Sequence, residues 1–319
     1  MPDMSTEDRL AGAIALEPVI DAVRDAFVSF HNDEFDLPVR TSFGNGRILT
    51  MPVHHRPSST AAVKVLRIDP ARDPAISGAI VWTAPDGELV FDAADITAVR
   101  TGAVSGVATD LLARADSATL TIIGAGAQAF HQVAAVVAVR AIQEVRVVSR
   151  TPARTTRLVD RLRAQYPDVR ITVPTDLGQA LATTDVLTCA TSALHPVFSA
   201  DDLPNHIHIN AVGSYRLDMR EVPADAFTDA DIVVDDWEAA CEEAGDLMAA
   251  LRSGQANEEG VTELGARLSA QQGARSDRTI FKSVGLAIQD WAAASAIARN
   301  RTHHVKDNND SASHPPRAV

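Results

Sequence analysis

The run Leu120-Thr121-Ile122-Ile123-Gly124-Ala125-Gly126-Ala127-Gln128-Ala129 decides the fold. A short apolar segment that stops at a glycine pair is a buried strand entering a tight turn. Glycine at 124 and 126 lets the backbone come close to a ligand. Phe130, Val133, Ala134 and Val137 follow at helical spacing. A helix therefore starts at the turn, with its free N–H groups and the positive end of its dipole directed where a pyrophosphate sits. Apolar residues return at Val145-Arg146-Val147-Val148 and complete a βαβ unit for a dinucleotide. The third glycine of the Gly-x-Gly-x-x-Gly pattern is Ala129 here, and that position needs only a small side chain for helix–strand packing.

The end of the second strand selects the coenzyme. An NAD site places Asp or Glu there to accept from the ribose hydroxyls. This chain has Ser149-Arg150-Thr151. A guanidinium fork flanked by hydroxyls suits the 2′-phosphate of NADP, so NADP is expected ahead of NAD, the alternative being a solvated loop before a helix that starts at Pro152.

Downstream, strand-like runs at 169–173, 185–191, 206–212 and 231–236 alternate with helical segments, including 177–184 and 238–251. That alternation predicts a Rossmann-type doubly wound, mostly parallel sheet, with Thr191, Val212 and Asp235 at the carboxyl ends where ligands bind. The segment from Thr279 runs into a final helix reaching Ile297, and residues 301–319 are polar enough to read as a disordered tail. Upstream, Val19, Ile20, Val23, Phe27 and Phe30 form a helical stripe. Residues 37–41 are extended and proline-punctuated, and Arg40 stands there without distinction. Two runs around Pro85-Asp86-Gly87 read as a hairpin, and 95–112 as a helix rich in small residues. Lys64 sits inside the strand-like run 61–66, and Arg100 among Val99, Ala103 and Val104. A cation so placed snorkels or finds a partner, which makes Lys64 an anion site or a residue of an edge strand.

The 319 residues, 46% of them apolar, suffice for two domains. A net charge of −13 argues against nucleic acid and membrane surfaces as partners. The N-terminus carries acidic residues and no sustained apolar run, so neither a signal peptide nor a membrane span is expected, and the cytoplasm is the expected compartment. Cys189 and Cys241 stand in no metal or redox spacing, and Cys189 reads as a buried, inert thiol. His54-His55 and His206/His208 lack a third ligand nearby, so no metal is expected. No nucleophile-elbow motif appears, which lowers hydrolase readings.

Several stretches together resemble the ornithine cyclodeaminase/mu-crystallin family over about residues 15–298. They are Leu37-Pro38-x-Arg40, Val63-Lys64, Asp95-Ile96-Thr97-Ala98-Val99-Arg100-Thr101, Gly124-x-Gly126-x-Gln128, Ala190-Thr191-Ser192, Asn210-Ala211-Val212-Gly213-Ser214, Glu243-x-Gly245-Asp246 and Lys282-Ser283-Val284-Gly285. The resemblance implies a homodimer with a split α+β substrate-binding and dimerisation domain (1–115 plus 283–300) around a dinucleotide-binding domain (116–282). It implies that Arg40, Lys64 and Arg100 hold a substrate carboxylate, with Lys64 and Arg100 catalytic and Val284 lining the pocket. Gly124, Gly126, Ala127 and Gln128 would meet the pyrophosphate, Ser149, Arg150 and Thr151 the adenosine phosphate, and Thr191, Val212 and Ser283 the rest of the coenzyme.

One position separates members. Cyclodeaminases of the family are expected to carry Asp two residues after the glycine matched by Gly213, and this chain has Tyr215. A phenol is a poor general base at neutral pH. The expected activity is therefore NAD(P)H-dependent reduction of a ketimine or cyclic imino acid carboxylate. The alternatives are an ornithine or lysine cyclodeaminase, an alanine-type amino-acid dehydrogenase, and a non-catalytic NADPH and small-ligand binding protein.

Overall fold

The computed structural model describes residues 16–38, 40–45, 47–69 and 76–311. The expectations for the N-terminal segment through residue 15, for Val39 and for the tail from 312 to 319 lie outside the described residues. A first sheet is antiparallel, in the order β1-β3-β4-β5-β6 with β2 paired to β3. Its strands are β1 (Phe35–Asp36), β2 (Thr41–Phe43), β3 (Ile48–His55), β4 (Thr60–Ile68), β5 (Ile76–Ala84) and β6 (Gly87–Asp92). Helix α1 (Leu16–His31) buries Val19, Ile20, Val23 and Phe27, the stripe its sequence shows. It shares one core with α2 (Ala93–Leu112), α9 (Ala287–Ser311) and the inner face of this sheet.

A second, eight-stranded sheet is parallel throughout, in the order β13-β12-β14-β11-β10-β7-β8-β9. It contains β7 (Thr119–Ile123), β8 (Glu144–Val148), β9 (Arg170–Thr172), β10 (Val186–Cys189), β11 (Ile207–Ala211), β12 (Asp231–Val234), β13 (Val261–Glu263) and β14 (Arg278–Lys282). The helices α3 (Ala129–Val139), α4 (Pro152–Gln165) and α5 (Leu177–Leu181) intervene between successive strands in the βαβ manner. Every residue of α2 from Ile96 to Thr109 is buried. Its glycines explain how: a Cβ on Gly102 would stand 2.4 Å from the His131 carbonyl oxygen, and one on Gly106 3.2 Å from the Ala135 Cβ. The small residues of α2 make room for the backbone of α3, and Gln132 Nε2 donates to the Thr101 carbonyl across that contact at 2.9 Å.

Four expectations change. Residues 278–282 are a strand between β11 and β12 rather than a run-in to the last helix. Helical and strand periods cannot be told apart in so short an apolar run, and full burial on both faces favours the sheet. The expected 238–251 helix is broken into α6 (Trp237–Glu243) and α7 (Gly245–Arg252), where Gly245 presses on the Met219 carbonyl oxygen, 2.2 Å from a would-be Cβ. α8 (Leu264–Ser269), with β13, comes from a stretch the sequence reading left unassigned. The expected disordered tail is helical at its start, since α9 continues through Ser311. Among the described residues no helix is long and apolar enough to cross a membrane.

Candidate active site

The carboxyl ends of the parallel strands and the strands β3 and β4 line a common cavity of about 1050 Å³. The glycine turn forms one part of it. Gly124 has φ +118°, and a Cβ there would lie 2.4 Å from the Ala190 carbonyl oxygen, so only glycine fits beside the end of β10. Gly126 differs, because no atom lies within 4 Å of a Cβ built on it. Backbone at Gly126 is thus open to a ligand, while Ala129 is fully buried against the sheet. Gln128 precedes α3 without capping it by its side chain, and its Oε1 has no partner although buried. An uncapped helix start, an open glycine and an unsatisfied amide fit the pyrophosphate of a dinucleotide.

Ser149, Arg150 and Thr151 line the cavity beyond β8, and Arg154 on the first turn of α4 joins them. Thr151 donates its backbone N–H to Ser149 Oγ at 3.3 Å. Arg150 and Arg154 are exposed and have no ion-pair partner among the described residues. The sequence reading missed Arg154, although helical spacing from Arg150 was available as a signal.

Buried carboxylates set the strand ends that follow. Glu221 accepts from Thr191 N at 2.5 Å and from Gly213 N at 2.7 Å, so one side chain spans the ends of β10 and β11. Burial raises Glu221 to about 7, against the opposing pull of Lys282. Asp246 accepts from Glu221 N at 2.7 Å and from Lys282 Nζ at 3.3 Å, and Lys282 also donates to the Ser214 carbonyl at 2.5 Å. Asp235 Oδ2 takes three donors: Ser283 Oγ at 2.8 Å, Val284 N at 2.9 Å and Gly285 N at 2.7 Å. Thr191, Val212, Ser283 and Val284 therefore reach the cavity on a loop set held from behind.

The cations face this machinery. Lys64 lies on the inner face of β4, which runs between β3 and β5, so the edge-strand reading does not hold. Its Nζ is 2.5 Å from Asp290 Oδ2. Arg100 places Nε 3.3 Å from Asp290 Oδ1 and donates from Nη1 to Gln289 Oε1 at 2.6 Å. Arg40 pairs with Glu243. Burial, reinforced by the charges of Arg100 and Arg40 and opposed by Asp290, lowers Lys64 to about 8. Burial likewise raises Glu243 to about 7, against the pull of Arg40. Three cations thus meet two carboxylates, and the cavity retains a positive charge that an anionic ligand would balance. Gly285 closes the contact, since a Cβ on it would stand 2.5 Å from Arg100 Nη1.

Every residue assigned by sequence to substrate or coenzyme lines this one cavity. Asp290 and Gln289 were missed. A search for the counter-charge of Lys64 and Arg100 finds Asp290 as an acid set between Ile288, Trp291 and Ala292 on α9. Tyr215 lines the cavity and is 40% exposed. The histidines lie elsewhere: His208 is buried between Thr279 and Asn210, and His206 pairs with Asp277. Cys189 is fully buried, and that burial pushes its thiol well up.

Comparison with known proteins accords with this geometry. Residues 1–304 match the model of the ornithine cyclodeaminase/mu-crystallin family. A Delta(1)-pyrroline-2-carboxylate reductase of Bacillus cereus is 35% identical over 285 residues, 84% of this chain and 87% of the relative. The structure of the Thermococcus litoralis Delta(1)-pyrroline-2-carboxylate reductase with NADH and L-proline superposes with a TM-score of 0.86 at 32% identity, covering 93% of this chain and 96% of that one. An archaeal alanine dehydrogenase dimer with bound NAD superposes with a TM-score of 0.83 at 28% identity, covering 93% and 95% of the two chains. Motifs, fold and cavity together make this chain a member of the ornithine cyclodeaminase/mu-crystallin family.

Proposed function

We propose that the protein is an NADP-preferring reductase of the C=N bond of a ketimine or cyclic imino acid carboxylate. The observation that carries this reading is the placement of Lys64, Arg100 and Asp290 in one cavity with an open glycine turn. The relatives point the same way, since one is a pyrroline carboxylate reductase and another binds L-proline, a secondary amine of the kind imine reduction yields. A bound reduced nicotinamide supplies the hydride. Arg100 and Arg40 neutralise and orient the substrate carboxylate, and orientation of the reacting carbon is what converts binding into rate. Lys64, held near 8, carries a proton at neutral pH and gives it up readily, which suits protonation of the imine nitrogen. Asp290 keeps the Lys64 ammonium aimed while Lys64 stays out of water.

Preference for NADP rests on Ser149, Arg150, Thr151 and Arg154 around the end of β8 with no acid among them. Assembly as a homodimer rests on the outer face of the antiparallel sheet. There Val63, Val81 and Val90 stand in register across β4, β5 and β6, with Val65 beside them, each 39–57% exposed. Such an apolar row needs a cover, and a second copy supplies a self-complementary one. The test is oxidation of NADPH and of NADH with Delta(1)-pyrroline-2-carboxylate. Turnover with NADPH favoured at least tenfold is expected, and tight NADPH binding without turnover on any imino acid would make this a binding protein instead.

A further inference from the structure

We infer that the substrate carries an aliphatic side chain or ring, laid against a wall of the cavity built by Leu49, Met51, Leu66 and Ile68, and that a basic side chain is excluded. This rests on the reading above, because the substrate carboxylate must sit at Lys64 and Arg100 for its side chain to reach that wall.

Lys64 has aliphatic neighbours on its own sheet face. Met51 is its register partner on β3, and Leu49 faces Leu66 one pleat further on. Leu66 and Ile68 follow Lys64 along β4 at the two-residue period that keeps side chains on one face. Met51 and Leu66 are 6% and 5% exposed, and all four residues line the cavity. A carboxylate drawn to the cations thus brings its α-substituent beside hydrocarbon.

The second observation concerns charge. No Asp or Glu lines the cavity among the described residues. The two carboxylates behind the cations are committed, Asp290 to Lys64 and Arg100, and Glu243 to Arg40. A terminal ammonium or guanidinium would leave water for an aliphatic surface, beside three like charges and with no free counter-charge. A methylene chain would instead gain from the same burial.

The test uses the whole enzyme and imines formed in place from methylamine and a graded set of 2-oxo acids: pyruvate, 2-oxobutanoate, 2-oxopentanoate and 5-guanidino-2-oxopentanoate. NADPH oxidation is followed throughout. Each added methylene should raise kcat/KM by about fourfold, the transfer value of a buried CH₂. The guanidino acid should fall about 100-fold below 2-oxopentanoate. Leu49→Glu, at a half-buried position that tolerates a charge, should recover the guanidino acid by at least about tenfold while weakening 2-oxopentanoate. A flat or falling series, or a guanidino acid reduced as well as its aliphatic match, overturns the inference and leaves imine reduction standing. Failure of every member, with Delta(1)-pyrroline-2-carboxylate also unreduced, removes the proposed activity and this inference with it.

Discussion

The two halves of the cavity are made in different ways. The coenzyme half is built from backbone: a glycine turn, a helix start and loop N–H groups, with its first part contiguous from Leu120 to Thr151. The substrate half is built from side chains at 40, 64, 100 and 290, brought together from β4, α2, α9 and the segment before β2. Backbone sites depend on local geometry, so a neighbouring residue cannot easily abolish them. Charged side-chain sites depend on one another, because removing any member leaves a buried charge without its partner. The substrate half should therefore be the more fragile under single substitutions.

The largest expected effect breaks that half outright. Arg100→Ala should lower kcat/KM by about 10³-fold, the cost of truncating one member of a buried charge pair, with coenzyme affinity by fluorescence titration nearly unchanged. An unchanged rate removes Arg100 from the carboxylate site. Gly285→Ala probes the seam between the halves. Its methyl would push on Arg100 at a residue with φ +90°, and kcat/KM should fall by about 10²-fold even though the residue bears no functional group.

The Lys64 proton adds a pH dependence. Its base is shifted down to about 8, so the protonated form is present below that value and lost above it. In the reductive direction kcat/KM should therefore fall as pH rises through about 8, by roughly tenfold per unit beyond it, and Lys64→Met should abolish that limb. The coenzyme half should respond more mildly. Glu221→Gln leaves one of the Thr191 and Gly213 N–H groups without its acceptor, and KM for NADPH should rise by about tenfold. Smallest is Arg154→Ala, an exposed guanidinium, which should lower the NADPH-over-NADH preference by about fivefold. Equal losses with both coenzymes would place Arg154 away from the phosphate.

The legibility of each half follows the same division. Strand, turn and helix from 119 to 139 could be read directly, because glycine requirements and hydrophobic period are local properties of consecutive residues. Lys64 and Arg100 stood out as cations among apolar residues, yet their roles came from a family resemblance rather than from spacing. Asp290 stayed hidden since its meaning lies in side chains far back along the chain, on β4 and α2. Glu221 was equally silent, being a carboxylate in a loop whose two N–H partners come from separate strands.

What the sequence determined by itself was the dinucleotide turn, the βαβ alternation and the presence of cations set among apolar residues, all of them consequences of order along the chain. Tertiary structure alone decided that β14 enters the sheet between β11 and β12 and that α9 returns Asp290 to Lys64 and Arg100. It also decided that an aliphatic wall flanks those charges. The reason is that desolvated charges and close packing depend on distances in space, which sequence separation does not encode.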